Sequence, residues 1–268
     1  MLLGQFINDS INLLKFADCD APRTDTLAIL EHVLGKDKSW ILTHTEFELS
    51  DKNIVKLNKL VQRRKNHEPL AYIIGYKEFY GRNFKVTPDV LIPRPESEDI
   101  IDLAKKINCQ NFIDIGTGSG CLAISLSLEL DTSNILALDI SKNALKIAEI
   151  NSNNLGAKIK FIESDLIKNL SHADLAESCL VVNLPYVPRN LITSPEIKNE
   201  PKLALFSGND GMDLYHKFWD QIKNLPKKPI YIITECLIDQ QKEMTKLAKK
   251  ASFEQIECLR LIQVFKAN

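Results

Sequence analysis

The stretch Asp114-Ile115-Gly116-Thr117-Gly118-Ser119-Gly120, entered through Phe112-Ile113, decides the fold. A short apolar run that stops at closely spaced glycines reads as a buried strand turning into a helix. Working outward, the runs at 135–139, 159–163, 179–183 and 229–235 read as further strands, with helical stretches between most of them. Strands alternating with helices build a doubly wound parallel sheet with right-handed crossovers. Two last strands, at 253–258 and 261–265, are separated by only a couple of residues, so they must pair antiparallel. The expected fold class is α/β, a doubly wound Rossmann-like sheet with an antiparallel last strand.

The chain ahead of this sheet has a different character. Leu3, Phe6, Ile7, Ile11 and Leu14 share one helical face, and Leu27, Leu30 and Leu34 form a second stripe closed by Gly35. Ser50-Asp51 can cap a third helix that carries Ile54, Leu57, Leu60 and Val61. Arg63-Arg64-Lys65 at its end reads as a solvated terminus complementing the helix dipole. From Tyr72 to Val86, aromatic and β-branched residues flank a glycine-containing turn, the pattern of a β-hairpin. Pro88, Pro93 and Pro95 then interrupt regular structure. The expected division is a small helical domain over 1–70, a β-hairpin linker over 71–95 and the main α/β domain over 96–268.

Composition narrows the class. A net charge of −1 gives no global basic field, which disfavours nonspecific nucleic-acid binding. The six cysteines are scattered and form no C-x-x-C pair, so reduced thiols without a metal are expected. No apolar run approaches the ~20 residues of a membrane span, and Asn8-Asp9 interrupts the N-terminal apolar stretch. A cytoplasmic monomer, with no membrane partner, is the expectation.

In a doubly wound sheet, ligands sit at the carboxyl ends of strands. Gly116, Gly118 and Gly120 fall at such an end, and Asp139 follows about twenty residues later at the end of the next strand, where a carboxylate binds ribose hydroxyls. The spacing is G-x-G-x-G rather than the G-x-G-x-x-G of dinucleotide sites. Asp114, just before the first glycine, would sit badly beside a pyrophosphate and suits the amino group of a methionine moiety. S-adenosylmethionine is therefore favoured over NAD; a tight turn without ligand is the plain alternative. Asp165, after the third strand, reads either as a helix N-cap or as an acceptor for an adenine amino group with Leu166 packed on the ring, and both can hold.

Asn183-Leu184-Pro185-Tyr186 follows the apolar run Leu180-Val181-Val182. Asn and Pro favour turns, so a strand-ending turn is one reading. The other is catalytic. A planar nitrogen is a poor nucleophile because its lone pair is delocalised, so an enzyme must hold its N–H groups and aim it. Asn183 can offer a side-chain oxygen, and the Leu184 carbonyl a second acceptor, since Pro185 restricts Leu184 to extended backbone. Tyr186 can stack on the flat group. With the glycine turn and Asp139 upstream, the pattern predicts methyl transfer to an amide or ring-amino nitrogen.

These residues resemble the release factor glutamine methyltransferases, which methylate the side-chain amide of the glutamine in the Gly-Gly-Gln motif of class I peptide chain release factors. The similarity covers nearly the whole chain. It includes Glu68-Pro69-Leu70-Ala71-Tyr72-Ile73-Ile74-Gly75, Leu91-Ile92-Pro93-Arg94-Pro95-Glu96-Ser97-Glu98, the stretch from Glu200-Pro201 to Leu205, and Gly208-Asn209-Asp210-Gly211. The resemblance implies a Rossmann-like methyltransferase using S-adenosylmethionine, with a release factor as protein partner gripped in part by the helical domain. It implies that Asp114, Gly116, Thr117, Gly118, Ser119, Gly120, Asp139, Asp165, Leu166 and Asn183 serve the cofactor. Asn183, Leu184, Pro185 and Tyr186 would hold the glutamine amide, with Arg94 and Glu96 near the cofactor pocket.

The chain departs from the family in three places. Leu184 stands where the family usually has proline, Glu235-Cys236-Leu237 lacks the glycine of a Glu-x-Gly stretch, and the loop before the last strand is shorter. Two rival readings follow. One is an amino methyltransferase acting on adenine or cytosine of DNA or RNA, which would want a basic channel. The other is a non-catalytic relative that only binds.

Overall fold

A computed structural model describes residues 1–130, 134–191 and 194–268. The chain divides into two compact units, Met1–Tyr76 with Thr193–Asn199, and Lys77–Ile192 with Glu200–Asn268.

The first unit is helical: α1 (Leu3–Phe16), α2 (Pro22–Leu34), α3 (Lys38–Thr43), α4 (Asp51–Lys65) and α5 (Leu70–Ile74). Leu3, Phe6 and Leu14 of α1 meet Leu27 and Leu30 of α2 and Leu57, Leu60 and Val61 of α4 in one apolar core. Ser50 caps α4, accepting from the Asn53 N–H at 3.3 Å. Two expectations change here. Tyr72, Ile73 and Ile74 lie in α5, not in a strand, because burying Ala71, Tyr72 and Ile73 overrides their β propensity. Arg64 is not solvated either. It is 2% exposed, donates from Nε to Asp25 at 2.6 Å and pairs with Glu196 as well. Arg63 forms a two-pronged pair with Glu68, its Nε donating at 2.7 Å.

A hairpin, β1 (Tyr76–Phe79) and β2 (Arg82–Lys85), follows at the boundary. The second unit then runs α6 (Glu98–Ala104), β3 (Asn111–Ile115), α7 (Cys121–Glu129), β4 (Asn134–Asp139), α8 (Lys142–Leu155), β5 (Lys160–Glu163), α9 (His172–Leu175), β6 (Ser178–Val182), α10 (Asp213–Lys223), β7 (Tyr231–Glu235), α11 (Gln241–Lys250), β8 (Phe253–Leu259) and β9 (Ile262–Ala267). The sheet order is β5-β4-β3-β6-β7-β9-β8. The first five strands are parallel, and β9 pairs antiparallel with both β7 and β8. The expected doubly wound sheet with antiparallel final strands is thus the observed one.

Central strands are apolar because both faces are covered; every residue of β6 is buried. On one face, Tyr215, Phe218, Trp219 and Ile222 make the buried stripe of α10, and Trp219 meets Phe253 and Phe265 edge-on at 5.7 and 5.5 Å. The edge strand β8 carries Glu254 and Glu257 and a bulge between Gln255 and Glu257, both of which discourage further pairing. Among the described residues, no helix is long and apolar enough to cross a membrane.

Candidate active site

A cleft opens at the carboxyl ends of four neighbouring strands. Gly116 and Gly118 come from the turn after β3, Asp139-Ile140-Ser141 from the end of β4, Ser164-Asp165-Leu166 from the end of β5, and Asn183-Leu184-Pro185 from the end of β6. Val90, Leu91, Pro201, Leu203 and Leu214 complete the wall. Parallel strands end here with their carbonyls leading, so the loops that leave them face a common space.

The glycine turn is braced from beneath. Asp114 Oδ2 accepts from the Thr117 hydroxyl at 2.6 Å and from the Ala123 N–H at 3.3 Å, in the first turn of α7. Asp114 is 1% exposed and does not line the cleft; Oδ1 is buried without a partner among the described residues. Burial pushes its carboxyl up to about 7, against the pull of those two hydrogen bonds. Thr117, Ser119 and Gly120 also sit behind the lining. A Cβ on Gly120 would stand 2.9 Å from Ile124 Cδ1 and 3.1 Å from Ala148 Cβ, so only glycine lets α7 and α8 close on the turn. Asn151 of α8 secures the same turn, donating to the Ser119 carbonyl at 2.8 Å.

Asp139 joins two strand ends. Its Oδ2 accepts from the Gly118 N–H at 2.9 Å and its Oδ1 from the Ser141 N–H at 2.8 Å. Burial raises its pKa while the backbone donors oppose the rise. Each oxygen retains a lone pair for a further donor.

Asp165 lines the cleft, but both its oxygens are engaged: Lys217 Nζ lies 2.8 Å from each, and Lys168 Nζ 2.7 Å from Oδ2. These lysines lower its pKa. No helix begins at Asp165; a turn follows, so the N-cap reading is not realised. Leu166 holds the left-handed backbone, φ 57°, in a buried position on the cleft wall. A leucine is rarely found there, and such strain persists only where surroundings enforce it.

The Asn183 side chain is fixed by a carboxylate absent from the expected set. Its Nδ2 donates to Glu235 Oε2 at 3.0 Å and to Ser97 Oγ at 3.0 Å. Ser97 donates in turn to Glu235 Oε2 at 2.6 Å, and the Tyr186 hydroxyl to Oε1 at 2.8 Å. Burial raises the Glu235 pKa, and the donors from Ser97 and Tyr186 oppose it. Burial, with Glu235 adjacent, also carries the Tyr186 phenol far above its usual range, so it stays a donor. Among the described residues, no protein donor reaches Asn183 Oδ1 or the Leu184 carbonyl.

Leu184, unlike a proline, keeps an N–H, and the buried Tyr215 hydroxyl accepts from it at 3.4 Å. The backbone after it is clamped by Gln240, whose Nε2 donates to the Tyr186 and Asp210 carbonyls, each at 2.8 Å. Arg94 and Glu96 do not line the cleft. Arg94 pairs with buried Glu200 at 2.6 Å, and Glu200 also accepts from the Ile92 N–H at 3.2 Å, tying the proline-rich stretch to the Pro201 wall. Ser97, Glu235, Gln240 and Tyr215 were not expected as site residues. The local signals were an acid, Glu235, ending an apolar strand of which 232–235 are buried, and the likeness of Glu235-Cys236-Leu237 to a Glu-x-Gly stretch.

Comparison with known proteins places these features in a family. Residues 5–75 match the family description "PrmC N-terminal domain", and residues 99–193 match "Methyltransferase small domain". A release factor glutamine methyltransferase of Koribacter versatilis (strain Ellin345) is 35% identical over 234 residues, 83% of this chain and 83% of its own. The Bacillus subtilis (strain 168) protein of the same name is 33% identical over 218 residues, 77% and 76% of the two chains. The catalytic domain of hMettl16, solved with an RNA hairpin, shares the fold at TM-score 0.54 and 14% identity, over 81% of this chain and 82% of that one. The strand order, the cleft at the parallel strand ends and these identities agree: this chain is a Rossmann-like methyltransferase and belongs to the release factor glutamine methyltransferase family.

Proposed function

We propose that this chain methylates the side-chain amide nitrogen of the glutamine in the Gly-Gly-Gln motif of class I peptide chain release factors, with S-adenosylmethionine as methyl donor. The observation that carries the proposal is the orientation of Asn183. Its N–H groups are spent on Glu235 and Ser97, leaving Oδ1 as an acceptor next in sequence to the unengaged Leu184 carbonyl. Two acceptors suit a nitrogen that offers two protons, as a primary carboxamide does. The Koribacter and Bacillus relatives, named release factor glutamine methyltransferases, support the same substrate.

The residues of the cleft fit the cofactor. Asp139 keeps acceptor capacity for ribose hydroxyls, and Ile140, Leu166 and Leu184 offer apolar walls to an adenine ring. A Cβ at Gly118 would meet nothing nearer than the Gly116 carbonyl at 4.0 Å, so the turn presents bare backbone to a ligand. The unpartnered Asp114 Oδ1 is an acceptor for an ammonium group. When bound, S-adenosylmethionine supplies an electrophilic methyl group on a sulfonium.

The chain's own residues then act by holding and aiming. Asn183 Oδ1 and the Leu184 carbonyl take the two amide N–H groups, and the Tyr186 ring stacks on the amide plane. Orientation makes a weak nucleophile effective. The nitrogen becomes acidic only as its bond to the methyl carbon forms, so the proton it sheds passes to water and no strong base is needed.

The test is a transfer assay with labelled S-adenosylmethionine and a class I release factor, beside a factor whose target glutamine is replaced by alanine. Label is expected on the glutamine alone. Asn183→Ala is expected to lose about 100-fold or more in turnover while a cofactor titration stays near wild type. Near-normal turnover in that variant, or label on nucleic acid instead of protein, refutes the proposal.

A further inference from the structure

The buried carboxylate at the end of β7 enters the proposal above only as one acceptor of the Asn183 N–H groups, yet three segments of the second unit converge on it. Ser97 comes from the proline-rich stretch, Asn183 from the end of β6 and Tyr186 from the turn that follows. Glu235 is 1% exposed, so its charge is balanced by these donors rather than by water. We infer that Glu235 is the positioning residue that makes Asn183 a hydrogen-bond acceptor toward substrate, and so makes the site require a nitrogen that donates. The inference deepens the glutamine-methylation reading and rests on it for its kinetic part.

Proton count sets the orientation of Asn183. A side-chain amide has two faces of similar shape, one donating and one accepting, and only its surroundings choose between them. Ser97 and Asn183 both donate to Oε2 and Tyr186 to Oε1, a set of donors that holds Glu235 in its ionised form against the burial, and an ionised carboxylate accepts and never donates. With Nδ2 inward, Asn183 gives protons to Glu235 Oε2 and Ser97 Oγ, and every contact is satisfied. Rotated by half a turn, Asn183 would set Oδ1 against Oε2, two acceptors with no proton between them. Ser97 cannot repair this, because its single proton already goes to Oε2 at 2.6 Å. The inward donor is thus enforced, and Oδ1 faces outward. Tyr186, held through its hydroxyl on Oε1, is set by the same group.

Glutamine at 235 keeps the shape but brings a donor. Facing Tyr186, the new NH2 is tolerated, since a phenol can accept; facing Asn183, it turns that amide over. The site would then be split between two arrangements. Leucine removes the constraint altogether.

The experiment uses the full chain in two arms. In the first, the Asn183 side-chain NH2 is followed by NMR, its signals assigned by their loss in Asn183→Asp. Slow hydrogen exchange is expected in wild type, a second set of signals in Glu235→Gln, and exchange faster by about 100-fold or more in Glu235→Leu. Rapid exchange in wild type, or no change in either variant, overturns the inference whatever the substrate is. In the second arm, Glu235→Gln is expected to lose about tenfold in kcat with cofactor affinity and the KM for release factor near wild type. Glu235→Leu is expected to fall as far as Asn183→Ala, and the double variant no further, because the two act as one unit. Additive losses, or a loss confined to cofactor affinity, overturn it. A wild-type protein that shows the protected amide but does not methylate release factors sinks the substrate reading and leaves the positioning role intact. Should Glu235→Leu fail to fold, the isosteric Glu235→Gln decides both arms.

Discussion

Gly211 lies so close to the Tyr186 carbonyl that a Cβ added to it would stand 2.1 Å from that oxygen, and 2.4 Å from Gln240 Nε2. Its φ of +82° also lies in the region that side-chain-bearing residues avoid. The turn carrying Asn183, Leu184 and Tyr186 therefore depends on a bare backbone 25 residues beyond it, beneath the Gln240 clamp.

Gly211→Ala is accordingly expected to displace the Tyr186 backbone. Stability should fall by about 1–3 kcal/mol, and turnover by about 100-fold, with cofactor affinity less affected. Chemical denaturation and the transfer assay check this. Gly35→Ala, where nothing lies within 4 Å of the new Cβ, is the control: it should leave turnover unchanged.

Asp139 is expected to govern cofactor affinity. Asp139→Ala removes the acceptors of the Gly118 and Ser141 N–H groups and leaves those donors without a side-chain partner. Binding of S-adenosylmethionine should weaken by about 1–3 kcal/mol, read by calorimetry. An unchanged affinity would place the ribose elsewhere.

Asp114 gives a pH signature of defined sign. Its carboxyl titrates near 7 in the folded chain, against 3.8 for the ordinary group, because of burial. Between those values the folded state binds more protons than the unfolded state, so this group's contribution to stability declines as pH rises from about 4 to about 7. The full displacement corresponds to about 4 kcal/mol. Asp114→Asn should flatten that slope, stabilise the chain above pH 7 and weaken S-adenosylmethionine binding. Urea unfolding of both proteins at pH 5 and pH 8 tests it; parallel slopes would show that burial of this carboxyl is not the cause.

In the helical unit, Arg64→Leu should cost about 3–5 kcal/mol, because it leaves Asp25 buried without its counter-charge. Arg63→Ala, which breaks the more exposed pair with Glu68, should cost about 1 kcal/mol or less. Denaturant midpoints of the two variants decide whether burial separates adjacent arginines in this way.

Much of this was legible because it is local. The β3 strand, its glycine turn, Asp139 at the next strand end and the Asn183–Tyr186 segment each declare themselves within a few residues, through apolar runs, glycine spacing and a proline. Tyr72–Ile74 and Arg64 were misread for the opposite reason. Their residue types favour a strand and a solvated helix end, and only the packing of the helical core, with acids at positions 25 and 196 brought to Arg64, reverses that preference.

By itself, then, the sequence determined the alternation of elements, the cleft at the parallel strand ends and the amide, Asn183, that lines it. Tertiary structure alone decided which way that amide points. Ser97 and Glu235 are 138 positions apart, and Asn183 and Glu235 are 52. Hydrogen bonds across such separations have no local pattern. They come into being only when β6 and β7 pair and bury the carboxylate, and burial is what turns a surface acid into a fixed acceptor.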